Sequence, residues 1–187
     1  MATATQISEQ DYRELALNDP DRKWELWDGH LREKPGMTYA HNQVAYDLGF
    51  MLSTQLDRSA YRVRVDAGRV HRSGSTYFIP DVFVFPTKLI TPRLRRDDVL
   101  EVYDQPLPLV VEVWSRSTGT YDVTEKLAIY RQRGDLEIWF IHPIERTLTT
   151  WRRQSDGSYR EDRYQGGIVP VASLPGVSID FDALLDG

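Results

Sequence analysis

Apolar and polar positions along the chain change period several times, and each change marks an element. Ser8 followed by Glu9, Gln10 and Asp11 reads as a helix start, running to about Asn18 and stopped by Pro20. Lys23 to Trp27 alternates, Asp28-Gly29 is a two-residue hairpin signal, and Leu31 to Glu33 returns. From Thr38 to Leu56, Val44, Leu48, Met51, Leu52 and Leu56 recur at helical spacing, which predicts the longest helix. Tyr61 to Val65, Arg69 to His71 and Tyr77 to Phe85 read as strands between glycine-bearing turns. Thr87 to Gln105 reads as a loop with one helical turn.

Leu109 to Trp114 is almost continuously apolar, as expected of a central strand. A loop from Ser115 to Tyr121, a helix from Asp122 to Arg133 ended by Gly134, and a strand from Leu136 to Ile141 complete a βαβ-like unit. Leu148 to Arg152 and Tyr159 to Tyr164 alternate around Asp156-Gly157 as an edge hairpin, and Asp180 to Leu185 reads as a terminal helix. The sum is an α/β (α+β) fold: a mixed central sheet flanked by helices, with an N-terminal β-hairpin and C-terminal antiparallel strands. The pattern shows no repeat or linker, so residues 1–187 are expected to form one domain, loose only at the first few residues and at Asp186-Gly187.

Composition adds exclusions. The chain has no cysteine, which removes disulfides, thiolate metal sites and cysteine nucleophiles. No apolar run is long enough for a membrane span. The first residues lack the basic and apolar regions of a signal peptide, so a cytoplasmic location is expected. A net charge of -5 argues against extended non-specific coating of duplex DNA but allows a basic rim beside an acidic centre.

Three charges interrupt apolar patterns. Glu112 sits inside LVVEVW, where a carboxylate is costly unless paired or bound to a cation. Asp81 follows Pro80 and alternates with Phe83 and Phe85. Lys126 lies beside the stripe formed by Val123, Leu127 and Tyr130, in a helix whose Asp122 and Glu125 resemble a capping box. The bland readings are a strand-end acid, a polar strand start and a snorkelling lysine. Together, two acids on neighbouring strands and an inward lysine suit metal-assisted phosphodiester hydrolysis. Mg²⁺ takes a few hard oxygen ligands and keeps its waters, and a lysine stabilises charge growing on phosphate.

The order Pro80-Asp81, Glu112-Val113, Lys126 resembles the PD-(D/E)xK signature. More narrowly, WELWDGHL, His41, IPDVFVF, LVVEVWSRST, DVTEKLAIY, EIWFIHP and LPGVSID resemble successive blocks of the Uma2 (DUF820) family. The resemblance implies a restriction-endonuclease-like core and a Mg²⁺- or Mn²⁺-dependent endonuclease acting on DNA. It implies that Asp81 and Glu112 hold the metal and that Lys126 is catalytic. One departure stands out: the acid-x-lysine position holds Trp114, and the resemblance implies that the lysine has moved to Lys126. Glu25 and His41 match family positions as auxiliary ligand and proton carrier or phosphate contact.

Arginines cluster at Arg58, Arg62, Arg64, Arg69 and Arg72, and again at Arg93, Arg95 and Arg96; the second group is the candidate nucleic-acid contact. A homodimer is the expected assembly, two-fold pairs being the commonest closed form. Two other functions fit the same residues. One is a non-catalytic module that binds nucleic acid or protein on this fold. The other is a two-carboxylate glycosidase, which would need no lysine.

Overall fold

The computed structural model describes residues 6–117 and 119–187. The looseness expected of the first few residues, and the part of the Ser115–Tyr121 loop at Thr118, lie outside the described residues. Helix α1 (Glu9–Asn18), capped by the Ser8 hydroxyl, leads into the hairpin β1 (Trp24–Trp27) and β2 (His30–Glu33). Asp28 and Gly29 both take positive φ, 48° and 77°, the geometry that two-residue hairpins require. Helix α2 (Tyr39–Gln55) follows, then β3 (Tyr61–Val65), β4 (Arg69–Arg72), β5 (Thr76–Phe78) and β6 (Val82–Pro86).

The strand expected over Tyr77–Phe85 is two strands in two sheets. Proline cannot donate to a ladder, and the chain breaks at Ile79-Pro80-Asp81. Strand β5 joins a five-stranded sheet in the order β2-β1-β5-β4-β7, with β7 at Val102–Tyr103, whereas β6 joins a six-stranded sheet in the order β11-β10-β9-β8-β6-β3, with β8 at Leu109–Val113, β9 at Glu137–His142, β10 at Thr147–Arg153 and β11 at Tyr159–Tyr164. Asp81 therefore stands where the chain passes from one sheet to the other. The Thr87–Gln105 region holds two 3-10 turns, Thr87–Leu89 and Arg93–Arg95, and a short strand β7 (Val102–Tyr103) parallel to β4.

Strand β8 (Leu109–Val113) is fully buried, as its apolar run predicts. It pairs in parallel with β9 (Glu137–His142), so the βαβ expectation holds. The connecting helix starts earlier than the sequence suggests, at α3 (Gly119–Tyr121). It passes through one π turn (Asp122–Lys126) and continues as α4 (Leu127–Arg133) to Gly134 at φ 78°. Asp122 thus lies inside a helix, and its expected capping-box role is replaced by an ion pair with Lys126.

Strands β10 (Thr147–Arg153) and β11 (Tyr159–Tyr164) extend the large sheet as an antiparallel hairpin. A small hairpin, β12 (Ile168–Pro170) with β13 (Ser178–Asp180), precedes α5 (Phe181–Asp186), which Asp180 caps. Alternation divides the large sheet's side chains. Val82, Val84, Val111 and Val113 pack with α2 and α5 on one face; Phe83, Phe85, Val110 and Phe140 pack with α4 on the other. Among the described residues no helix is long and apolar enough to cross a membrane.

Candidate active site

Alternation decides where the acids go. Val111 and Val113 face α2, so Glu112 faces α4, and the helix brings Lys126 and Tyr130 down onto it. Lys126 Nζ lies 3.2 Å from Glu112 Oε1, and the Tyr130 hydroxyl donates to the same oxygen. Lys126 also reaches Glu25 Oε1 at 3.1 Å and Asp122 Oδ1 at 3.3 Å. One ammonium thus joins carboxylates from β1, β8 and the π turn, which is where the two sheets meet. Glu25 is itself held by the Ile79 N–H at 2.8 Å, in the segment that carries the chain between sheets.

The π turn explains how Asp122, Lys126 and Tyr130 converge. Four α-helical steps overshoot a full turn by about 40°, so three residues spaced by four would fan out. The wider π turn, closed by the Leu127 N–H on the Asp122 carbonyl, takes up the drift. Phe78 and Tyr121 roof the cluster, with their ring centres 5.6 and 6.0 Å from Lys126 Nζ. Lys126 is 2% exposed, so the snorkelling reading does not describe it.

Asp81 anchors the second half of the site. Its Oδ2 accepts the Val113 N–H at 2.7 Å, which fixes it beside Glu112. His41 Nε2, from the start of α2, is 3.0 Å from the same oxygen, near enough to pair but off the line of a hydrogen bond. Lys34 Nζ binds Asp81 Oδ1 at 2.7 Å, Asp66 Oδ1 at 2.9 Å and the Ile79 carbonyl at 2.9 Å. Lys34 and Asp66 line a pocket of about 330 Å³, which connects this half of the site to the surface.

The charges are strongly biased. Burial opposes ionisation of Asp81, yet Lys34, His41 and Lys126 overcome it and hold the carboxyl far below its ordinary value. Burial also opposes the Lys126 ammonium, and Glu112, Glu25, Asp122 and Asp81 outweigh it, holding the lysine charged. Glu112 goes the other way: burial, aided by Asp81 and Asp122, raises its carboxyl well above the usual range despite Lys126. Desolvation, with the carboxylate of Glu112 next, raises Tyr130 too, so its hydroxyl keeps its proton and donates.

The sequence-selected residues Glu25, His41, Asp81, Glu112 and Lys126 thus share one buried network. The arginines do not join it. Arg93, Arg95 and Arg96 are exposed on and after a 3-10 turn, and Arg96 is paired with Asp98 at 2.7 Å. Sequence reasoning missed Lys34, Asp66 and the charge role of Asp122, and took Tyr130 for a core residue. Lys34 continues the even-numbered phase of His30 and Arg32, which the structure shows to be the less exposed side of β2.

A family profile described as "Putative restriction endonuclease", Uma2, matches residues 9–182. The chain belongs to the Uma2 family. Among solved structures, this Uma2 chain is similar to "a putative nuclease belonging to DUF820" from Anabaena variabilis ATCC 29413. The TM-score is 0.73 with 18% identity, over 89% of this chain and 91% of that one. At that identity the likeness establishes the fold. No curated protein matches the chain.

The donor chemistry suits a hard cation, since Asp81, Glu112, Glu25 and Asp122 offer only carboxylate oxygens. In the present arrangement lysine ammoniums take those oxygens. Among the described residues no three acids or histidines are grouped to hold a metal ion. A metal would have to compete with Lys126 and Lys34.

Proposed function

We propose that the chain is a divalent-metal-dependent endonuclease that hydrolyses phosphodiester bonds of DNA. The observation that carries this reading is the meeting of Asp81, Glu112 and Lys126 in one network, with Asp81 hydrogen-bonded to the residue after Glu112. Membership of a family described as "Putative restriction endonuclease" supports it. Asp81 and Glu112 are the ligands, and Mg²⁺ or Mn²⁺ when bound supplies Lewis acidity and an acidified water.

The chain's own residues do the rest. Lys126, held charged by its acids, sits where its ammonium offsets negative charge developing on phosphate. Tyr130 and the Val113 N–H orient Glu112 and Asp81. Lys34 shields Asp81 from the pocket side, and a cation at Asp81 would have to displace it. The network's closure excludes bulk water, which strengthens each of these interactions.

The test is cleavage of supercoiled and single-stranded DNA with Mg²⁺ or Mn²⁺, comparing wild type with Glu112→Gln and Lys126→Met. We expect wild-type cleavage to require metal and to fall about 10²–10³-fold or more in either variant. Equal rates would remove these residues from the chemistry. No cleavage of any nucleic acid by wild type would favour the non-catalytic module.

A further inference from the structure

A cavity of about 520 Å³ lies on the same sheet face as Glu112, between α4 and the strands β9, β10 and β11. Its floor follows the register. Glu112 pairs with Phe140, Phe140 with Thr149, and Thr149 with Arg163, so these four form one row across four strands. At one strand spacing, the floor begins about 5 Å from Glu112 and reaches Arg163 at about 14 Å.

The walls are aromatic and cationic. Trp114 follows Glu112 by two residues and so shares its face; it stacks on His142 with ring centres 4.2 Å apart and an interplanar angle of 21°. Trp151 meets Phe140 edge to face at 5.3 Å, and the Arg131 guanidinium lies 5.7 Å from the Trp151 ring centre. The Trp151 indole N–H holds Glu161 at 2.7 Å, placing a fixed acceptor in the cavity wall. Room for the Trp114 ring depends on Gly119, where an added Cβ would stand 2.0 Å from Trp114 Nε1.

We propose that this cleft takes an unpaired nucleobase next to the phosphate that the nuclease reading sets beside Lys126 and Glu112, which makes a single-stranded or splayed strand the substrate class. Flat apolar walls match the faces of a base, and Arg131 and Arg163 match its phosphates. Glu161, Thr147 and Thr149 match its polar edge. A base locked in a duplex presents no free face to such a cleft. The assignment rests on the nuclease reading only for the place of the phosphate; the cleft itself is independent of it. It also gives Trp114 a use in the position where the acid-x-lysine pattern has lysine.

The experiment is fluorescence anisotropy of a labelled 12-residue single-stranded DNA and its blunt duplex, in EDTA so that nothing is cut. Trp114→Ala, the surface variant Arg163→Glu and the blocking variant Thr149→Phe are compared with wild type. We expect the single strand to bind at least ten-fold tighter than the duplex. Each variant should weaken single-strand binding by roughly ten-fold, the scale of one stacked base or lost cation contact. Thymidine should compete and ribose 5-phosphate should not, since a base rather than a phosphate fills the cleft. Equal affinity for single strand and duplex, or unchanged binding in both Arg163→Glu and Thr149→Phe, overturns the proposal. Cleft-dependent binding without metal-dependent cleavage would keep the cleft and remove the nuclease. Cleavage whose KM ignores all three variants would do the reverse.

Discussion

Lys126 Nζ stands 3.2 Å from Glu112 Oε1, with both side chains at least 98% buried, so each is the other's main compensation for lost water. Removing Lys126 takes away the cation shared by the buried acids from β1, β8 and the π turn. Lys126→Met should therefore cost about 3–5 kcal/mol, the usual penalty for half of a buried pair. The same variant frees Glu25, Glu112 and Asp122 for a cation, so Mg²⁺ should raise its thermal midpoint more than it raises that of wild type. Denaturant melts with and without Mg²⁺ check both; a variant as stable as wild type would show the pair to be neutral.

Tyr130→Phe removes a donor to a buried carboxyl oxygen without changing shape. Leaving a buried acceptor without its donor costs about 1–3 kcal/mol, and a loss in that range is expected by urea unfolding. A loss under a few tenths would mean that Glu112 is held without the tyrosine.

His41 gives a pH signature. Burial lowers its pKa, but the Asp81 carboxylate and Asn42 raise it further, and the net shift is upward from 6.5. A raised histidine stabilises the fold fully below its unfolded value, and that contribution disappears as pH climbs through the folded value. Wild type should thus lose stability on going from pH 6 towards 8, and His41→Gln should flatten that slope. The readout is a series of thermal melts across that range; identical slopes would detach His41 from Asp81.

Glu112 gives the opposite sign for metal. Its raised pKa means that the folded protein favours the protonated carboxyl above pH 4.5, so a metal must displace that proton. Binding of Mg²⁺ should tighten with rising pH and release protons, and calorimetry in two buffers of different ionisation heat measures the release. Proton-neutral binding would place the metal elsewhere.

Gly49 tests the framework. A Cβ there would sit 2.3 Å from Val65 Cγ2, where α2 crosses β3. Gly49→Ala should cost about 1–3 kcal/mol through overpacking. Because His41 rides on α2 and Asp66 follows β3, its effect should extend to metal binding. A neutral substitution would mean that α2 shifts freely over the sheet.

Local signals were legible in the sequence. The Asp28-Gly29 hairpin, the helix stop at Gly134 and the buried run expected over Leu109–Trp114 depend on neighbours in the chain; the structure has the first two as read and the third as Leu109–Val113. Glu112 and Lys126 were legible because charge in an apolar pattern is conspicuous. Lys34 was not, because its partner Asp81 lies 47 residues away and lysine at a strand end is ordinary. Asp122 was misread because capping and ion pairing demand the same residue type, and only the π turn decides between them. The split at Pro80 was missed because apolar residues on both sides continued one strand-like pattern into two sheets.

The hairpin between β10 and β11 has a consequence of its own. Its turn at Asp156-Gly157, with Gly157 at φ 85°, fixes the pairing of Thr149 with Arg163 and of Trp151 with Glu161. Side chains alternate, so one residue added to that turn would slide β11 by a single step and reverse its faces. Arg160 and Asp162 would then look toward α4, and Arg163 and Glu161 would turn away. The length of a surface turn far along the chain from Glu112 thus sets the polarity of the floor beside it, and divergent relatives could retune what lies next to the same acids by editing a loop that touches none of them.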